Sequence, residues 1–303
     1  MAISRSQLVK ELEPGLNALF GLEYKRYENQ HAEIYTTESS DRAFEEEVML
    51  SGFANAQVKG EGAGVSFDEA QETFTARYSH ETVALAFAIT EEAIEDNLYD
   101  RISSRYTKAL ARSMSNAKQV KSVEPLINGL PSTATFKSGD GVALFSTAHP
   151  TVAGTFKNTL TTQADLNETS LEQSLIDIAA MTDERGLRIA ARGVKMIIPS
   201  ELQFTAERLM KSQGRTATAD NDINAIVSMG MIHQGYRVNN YLTDSDAFYI
   251  ITDVPNGMKM FQRAPLKTAM EGDFDTGNVR YKARERYSFG VSDPRGIFGV
   301  EGA

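Results

Sequence analysis

The sequence contains no cysteine in its 303 residues. This absence excludes disulfide bonds, thiolate metal ligands and thiol nucleophiles together. Any unusual stability must therefore come from packing, from charge networks or from assembly.

Long apolar runs are also missing. The longest strongly apolar stretch, Val83–Ile89, is far too short to span a bilayer. The N-terminal sequence MAISRSQLVKELEP lacks the uninterrupted apolar core of a signal peptide. We therefore expect a soluble chain that is not exported and does not contact a membrane.

Positive charge is in deficit, since 31 Lys and Arg stand against 41 Asp and Glu, which gives a formal net charge of −10. Dedicated nucleic-acid binders need a dense cationic surface to displace phosphate counterions, so this class fits poorly. With 41% hydrophobic and 24% charged residues, the composition is that of a globular protein and excludes disorder, collagen and coiled coil. The length allows one large domain or two interleaved ones.

Hydrophobic periodicity predicts the elements of the first half. Leucines at three- and four-residue spacing indicate a helix from Ser4 to about Tyr27, and the polar stretch that follows, through Ser51, looks like an extended arm. Strict alternation predicts strands at residues 74–80 and 83–89, which we expect to form a two-stranded excursion. Thr90 is a good N-cap for a lightly apolar helix that runs to about Lys121, a length of about 45 Å.

The second half mixes helices and strands. A capping box, Thr169 to Glu172, opens a helix that ends before Gly186, and a second helix runs from about Pro199 to near Gly214. The polar stretch 214–224 reads as an exposed loop. Strands are expected at 194–199, 236–242, 248–252, 258–262, 266–271 and 279–291. The predicted fold class is α+β.

Candidate catalytic groups are sparse. The four histidines lack the three- or four-residue spacing of metal ligands. Ser146 and His149 supply the residue types of a serine hydrolase, but without the sharp-turn motif around the serine. Two carboxylate pairs lie at a helix start and in a turn, where carboxylates are structurally expected: Glu91 with Glu95, and Asp244 with Asp246. We therefore expect no catalysis, no cofactor and no metal, and favour a structural role.

One charge pattern is distinctive. Arg280, Lys282, Arg284 and Arg286 alternate with mostly apolar residues, so a single strand presents four cations on one face. Such a row is either a solvated outer strand or a face that meets acidic segments of a neighbouring subunit, or packaged nucleic acid. The acidic run of the arm is a candidate partner and consists of Glu45, Glu46 and Glu47.

Four phrases in order along the chain resemble a known family. They are AFAITEEAIEDNLYD, ALFSTAHPTVAGTFKN, LTDSDAFYIITD and KARERYSFGVSDPRGIFG. The sequence resembles the major capsid proteins of tailed bacteriophages, with the Hong Kong 97-type fold, and more closely the Mu-like major head subunits.

The resemblance implies a division of the chain. Residues 1–50 would form an N-terminal arm, 51–88 an extended loop, 89–134 a peripheral domain with its spine helix, 135–257 an axial domain, and 258–303 the closing strands of the peripheral domain. Some relatives form an isopeptide cross-link from a loop lysine to a neighbour's asparagine, and Lys59 and Asn278 are the candidates here.

The resemblance also implies a function. The chain would form hexamers and pentamers of an icosahedral phage head around double-stranded DNA, as part of the virion after synthesis in the host cytoplasm. A separate scaffolding protein, a portal and decoration proteins would be its partners. The alternatives are an encapsulin-like compartment shell and, from another class, a serine hydrolase that uses Ser146 and His149.

Overall fold

The structure is a computed structural model that describes residues 5–90, 92, 99–214, 222–273 and 277–303. Helices and strands are mixed along the chain. The helices are α1 (Arg5–Arg26), α2 (Tyr99–Ile127), α3 (Glu168–Ala179), α4 (Gln203–Lys211) and α5 (Ala225–Ser228). The strands are β1 (Thr36–Ser39), β2 (Phe44–Leu50), β3 (Glu72–Ser79), β4 (Glu81–Ile89), β5 (His149–Thr151), β6 (Gly154–Phe156), β7 (Gly193–Ile198), β8 (Tyr236–Val238), β9 (Phe248–Thr252), β10 (Met258–Gly272), β11 (Val279–Val291) and β12 (Ile297–Val300).

The first sheet has the strand order β1-β10-β11-β4, and the helices α1 and α2 lie on one of its faces. Leu16 and Phe20 are four residues apart on α1, so both point to the same side of the helix. They pack with Met114 of α2 and with Tyr281 of β11 in a buried cluster. The opposite face of this sheet carries the outward residues of β4, β10 and β11.

The second sheet has the strand order β12-β9-β7-β8, and its strands β9 and β12 are buried on both faces. Successive strand residues point to opposite faces, and β9 shows the result. Phe248 and Ile250 pack with α3 and α4, whereas Tyr249 packs with residues of the first sheet and of α2. The central strands of this sheet therefore join the two halves of the molecule.

Backbone contacts close the joint between the sheets. A Cβ atom on Gly296 would lie 2.3 Å from the Cα atom of Gly257, and a Cβ atom on Gly299 would lie 2.6 Å from the ring of Phe145. Only glycine fits where a backbone approaches another group this closely.

Strand pairing corrects one expectation. β3 and β4 do not pair with each other; β3 pairs antiparallel with β2, and β4 with β11. Only His80 separates the two strands, which is too short for even a two-residue hairpin loop. Glu81 and Thr82, between the two expected strands, belong to β4 and pair with Tyr287 and Arg286.

The expected extended arm also contains paired strands. Thr36–Ser39 pairs in parallel with β10, and Phe44–Leu50 pairs with β3. Backbone pairing does not require apolar side chains, which is why the polar sequence gave no strand signal. The domain limits expected from the resemblance stay predictions.

Several helix and strand boundaries differ from expectation. Helix α2 continues to Ile127, past the expected end, because Leu126 and Leu130 are buried in the core. Helix α3 is capped by Asn167, which accepts a hydrogen bond from the Ser170 amide at 2.9 Å, so the capping box lies two residues earlier. The two strands expected around Pro265 form one strand, β10, whose register shifts at that point because proline has no N–H to donate.

Two expectations fall outside the described residues. The expected start of the long helix, with Glu91 and Glu95, lies there, as does most of the expected loop at 214–224, of which 215–221 are not described.

Candidate assembly surfaces

The β2–β3 hairpin carries an uncovered loop at residues 51–71. Hydrogen bonds between Ser51 and Gln71 close its base, including one from the Ser51 amide to the Gln71 carbonyl at 2.8 Å. Beyond this base the loop contains no regular helix or strand. Val58 is 100% exposed and Phe67 is 97% exposed. Exposed apolar side chains grouped on one segment are typical of a surface that another molecule covers.

The returning end of this loop is tied to the second half of the molecule. Arg185 donates to the carbonyl oxygen of Glu69 at 2.5 Å and lies 3.5 Å from a carboxylate oxygen of Asp68. Asp68 also accepts a hydrogen bond from the Ala54 amide, which lowers the pKa of its carboxyl group. Lys59 lies on the exposed part of the loop.

The acidic run lies on β2, and all three of its glutamates have partners within the protomer. Glu45 accepts a hydrogen bond from the Ser40 hydroxyl at 2.6 Å, and Glu46 lies 3.8 Å from Arg77 on the paired strand. Glu47 lies 2.5 Å from Lys259. The run is therefore not a set of free charges.

Lys259 anchors the hairpin to the first sheet. Its side chain is 8% exposed and contacts Glu47 and, at 3.1 Å, Glu38. Burial lowers the pKa of this lysine, but hydrogen bonds to the two glutamates outweigh burial and raise it. Glu47 thus fixes the base of the hairpin.

The cation row occupies the outer face of the first sheet, as the alternation predicted. Arg280, Lys282 and Arg284 are exposed, and Arg286 is half-buried. Arg280 pairs with Asp273. Within the described part of the chain, the other three have no carboxylate within ion-pair distance.

The neighbouring strand β10 adds one cation and one acid to this face, since Glu271 stands directly opposite Arg280. Lys267 of β10 stands directly opposite Arg284, and like charges in such a pair are destabilising. On the other side, β4 presents Ala84, Ala86 and Ala88, which are exposed and small. The face is thus a flat apolar strip beside a row of cations. Because Glu45, Glu46 and Glu47 are engaged elsewhere, the structure does not bring the acidic run and the cation row together in one protomer.

Asn278 lies next to the turn that joins β10 and β11. Its carbonyl oxygen accepts a hydrogen bond from the Asp273 amide at 2.8 Å. Residues 274–276 lie outside the described part of the chain.

Ser146 and His149 do not form a catalytic pair. The Ser146 hydroxyl accepts a hydrogen bond from the Ala148 amide at 3.1 Å. His149 is completely buried, and its ring nitrogens face Asp140 at 2.6 Å and Asn158 at 3.0 Å. Neither nitrogen is directed at the serine, so the geometry of nucleophilic activation is missing.

The buried His149 instead belongs to a structural network that sequence reasoning missed. Asn158 donates to the carbonyl oxygens of Leu144 and Pro294, at 2.7 and 3.1 Å. Burial raises the pKa of Asp140, but hydrogen bonds from His149 and Ser138 outweigh it, so the pKa lies below its ordinary value. The network joins distant segments, and no local pattern signals it.

Arg295 is a second buried anchor that sequence reasoning missed. It donates to Glu184 at 2.7 Å, to the Thr182 carbonyl at 2.7 Å and to Asp293 at 3.3 Å. Its guanidinium also lies 4.1 Å from the ring centroid of Phe156. Because Arg295 lies between β11 and β12, these contacts fix the connection between the two sheets.

A buried ion pair joins α2 to the inner face of the first sheet. Lys118 donates to Glu285 at 3.2 Å, and the Tyr24 hydroxyl donates to the same carboxylate at 3.4 Å. Burial raises the pKa of Glu285. The sequence did carry a signal here, since Glu285 is an acidic residue at an inward position of an alternating strand.

His31 connects the N-terminal segment to α2. The Gln119 side-chain oxygen accepts from the His31 amide at 3.0 Å, which places the Gln119 amide nitrogen 3.1 Å from Nδ1 of His31. Nδ1 therefore accepts a hydrogen bond, as in a neutral imidazole. Burial and the charge of Lys118 lower the pKa of His31 to about 4.

The described residues show neither a metal-binding cluster nor a membrane-spanning helix. They contain no group of three or more His, Asp or Glu side chains arranged to hold a metal ion. None of the helices in this part of the chain combines the length and hydropathy needed to cross a bilayer.

Comparison with known proteins gave matches of two kinds. A family model described as phage capsid protein matches residues 72–300, well over half of the chain. No curated protein sequence matches. The fold is similar to the virus-like particle from Pyrococcus furiosus, with a TM-score of 0.52, 11% identity, and coverage of 94% of this chain and 98% of that one.

Two further solved structures give similar values. The capsid of an empty GTA particle matches with a TM-score of 0.52 and 15% identity over 90% of this chain and 89% of that one. The capsid of Myoviridae phage XM1 matches with a TM-score of 0.51 and 11% identity over 89% of each chain. At these identities the likeness shows a shared fold.

Proposed function

The chain belongs to the phage capsid protein family and is a major capsid protein of a phage head shell, and we propose that it forms hexameric and pentameric rings that close around double-stranded DNA. Its fold is the Hong Kong 97-type α+β fold. The family resemblance inferred from the four sequence phrases is thus confirmed. The narrower likeness to Mu-like head subunits stays a prediction.

The proposal that subunits join into rings rests mainly on the exposed loop of the β2–β3 hairpin. Its apolar side chains, Phe53, Val58, Val65 and Phe67, are all more than 60% exposed in the protomer. Lys259 and Arg185 tie the hairpin to the rest of the protomer, and the loop projects beyond these anchors. A second copy that covers the loop would remove this apolar surface from water.

Charge supplies the proposed second contact. The outer face of the first sheet, with Arg280, Lys282, Arg284 and Arg286, would meet acidic residues of a neighbouring subunit. Glu46 is the most accessible member of the acidic run, with a side chain that is 46% exposed. Glu45 and Glu47 would act mainly by holding the hairpin in place.

Charge reversal tests this contact. We expect Arg284→Glu to reduce shell formation because it places an acid opposite the neighbour's acid, and we expect Glu46→Lys in the same chain to restore it. Shells counted by electron microscopy are the measurement, and the matched control is Lys137→Glu, at an exposed position without an ion pair among the described residues. Equal shell yields from Arg284→Glu and from the control would contradict the contact.

Covalent cross-linking through Lys59 and Asn278 is a separate proposal: the Lys59 amine of one subunit would attack the side-chain amide carbon of Asn278 in a neighbour, forming an amide bond and releasing ammonia. Both residues lie at exposed or half-exposed positions outside the core. If the bond forms, the assembled protein contains covalent multimers on a denaturing gel, and Lys59→Arg abolishes them. Multimers that persist in this variant, or an absence of multimers in the parent shells, would contradict the proposal.

We further propose that the protein is not an enzyme and that it assembles in the host cytoplasm with a separate scaffolding protein and a portal, with decoration proteins as possible additions. The ring nitrogens of His149 face Asp140 and Asn158 and not the Ser146 hydroxyl, which supports the absence of hydrolase activity. A serine-directed probe that labels Ser146 would contradict this. Shells that enclose protein cargo in place of DNA would favour the compartment alternative.

A further inference from the structure

The exposed face of helix α2 carries a second concentration of positive charge. Residues 103–123 contain five cations and no acidic residue, in a chain whose net charge is −10. The nearest acidic residues in sequence are Asp100 and Glu124. This stretch is therefore the strongest local departure from the acidic character of the chain.

The five cations fall into two groups. Lys118 pairs with buried Glu285, and Lys121 pairs with Glu81. Arg105, Lys108 and Arg112 are exposed, and within the described residues none of them has a hydrogen-bond or ion-pair partner. Structural pairing thus accounts for two of the cations and leaves three on the surface.

The three remaining cations lie on one side of the helix. Positions 105, 108 and 112 are three and four residues apart, so their Cβ atoms follow one another at about 5–6 Å. Ser113 and Asn116, also exposed, continue the same face. The opposite face is buried by Leu110 and Met114 against α1 and β11. We call Arg105, Lys108, Arg112, Ser113 and Asn116 the α2 stripe.

We propose that the α2 stripe contacts the phosphate backbone of the enclosed double-stranded DNA. The inference rests on the proposed function, since it names the surface that faces the genome. From position 105 to 112 the helix rises about 10 Å. Phosphates of one DNA strand follow at about 3.4 Å along the helix axis, so the stripe spans about three of them.

The unpaired cations of the stripe favour DNA over a protein partner, with Tyr106 and Val120, 52% and 41% exposed, lying beside them. Arginine, lysine, serine and asparagine are the side chains that contact phosphates without reading sequence. The outer face of the first sheet differs, because its cations stand beside the apolar strip of Ala84, Ala86 and Ala88. Helix α2 and the alanine strip lie on opposite sides of the first sheet. Only one of these two surfaces can therefore face the interior of a shell.

Salt dependence of binding tests the proposal. The unassembled full-length chain is titrated with a 30-base-pair duplex of random sequence at several salt concentrations. The slope of log affinity against log salt is then compared between the parent and the triple variant Arg105→Gln/Lys108→Gln/Arg112→Gln. Loss of three phosphate contacts reduces the slope by about 2.7, because each contact contributes about 0.9. The matched control is Lys267→Gln/Lys282→Gln/Arg284→Gln, which removes the same charge from the sheet face and leaves the slope nearly unchanged.

Three results would overturn the proposal. The first is an unchanged slope in the α2 variant. The second is an equal reduction in the control variant, which would indicate general charge attraction. The third is stronger displacement of the duplex by poly-glutamate than by unlabelled duplex at equal charge, which would assign the stripe to an acidic protein.

Labelling of closed shells gives an independent readout. Because the chain has no cysteine, Asn116→Cys introduces a single thiol on the stripe. The probe is a maleimide too large to cross the shell. If the stripe faces inward, this maleimide reacts with the thiol only after the shells are opened. Reaction in closed shells would contradict the proposal. A chain that forms no shells even with its scaffolding protein contradicts the proposed function, whereas shells with an unchanged salt slope contradict only the DNA contact.

Discussion

Acidification should weaken the fold through His31. This side chain is 6% exposed and accepts a hydrogen bond from Gln119 beside the cation Lys118. Burial, followed by the Lys118 charge, lowers its pKa from 6.5 to about 4, so the folded chain excludes a proton that the unfolded chain binds. The stability that neutral His31 provides is complete above pH 6.5 and is lost as the pH falls toward 4.

The structure sets the size of this effect. A pKa of about 4 in place of 6.5 corresponds to about 3 kcal/mol at most, of which about 2 kcal/mol is lost between pH 7 and pH 5. Asp244, whose pKa burial raises to about 6, acts in the opposite direction over the same interval. The parent curve alone therefore does not isolate His31.

A difference measurement isolates it. The free energy of unfolding is measured by urea titration at pH 7 and pH 5 for the unassembled parent chain and for His31→Gln. We expect the stability advantage of the parent over the variant to shrink by about 2 kcal/mol at pH 5. His233→Gln, at an exposed position, is the control. A parent-minus-variant difference that is the same at both pH values would refute the reasoning.

Three further substitutions have defined outcomes. Glu285→Ala should lower the free energy of unfolding by about 3–5 kcal/mol, because it leaves Lys118 buried and unpaired. Replacing both residues with apolar ones should recover most of the loss. A loss below about 1 kcal/mol in urea unfolding would contradict this prediction. Gly296→Ala should destabilise by about 1–3 kcal/mol, since the new methyl group meets the backbone of Gly257; an unchanged melting temperature would argue against the close approach. Phe67→Ser should change protomer stability by less than about 0.5 kcal/mol yet reduce shell yield in light scattering, and full assembly would exclude a role in contacts.

Sequence patterns predicted the elements whose burial is periodic. The alternation of β11 correctly separated its outward cations from inward Tyr281 and Tyr287, and the leucine spacing located α1 almost to the residue. Strand partners were not predictable in the same way. Alternation shows that a segment is a strand but not which neighbour it pairs with, so β3 and β4 were assigned to each other.

The polar anchors of the fold were beyond local sequence reasoning. Arg295, Glu184 and Thr182 meet only after the two sheets come together, and so do His149, Asp140 and Asn158. Their sequence contexts are ordinary turns. Glu285 is the exception, because an acid on the inward face of an alternating strand requires a buried partner.

Electron cryomicroscopy of the purified chain, assembled alone or with its scaffolding protein, tests the central claim most directly. The account predicts closed icosahedral shells built from hexameric and pentameric rings, with the loop at residues 51–71 of each subunit covered by a neighbouring copy. A product that stays monomeric or dimeric under all assembly conditions, with that loop exposed to solvent, would contradict it.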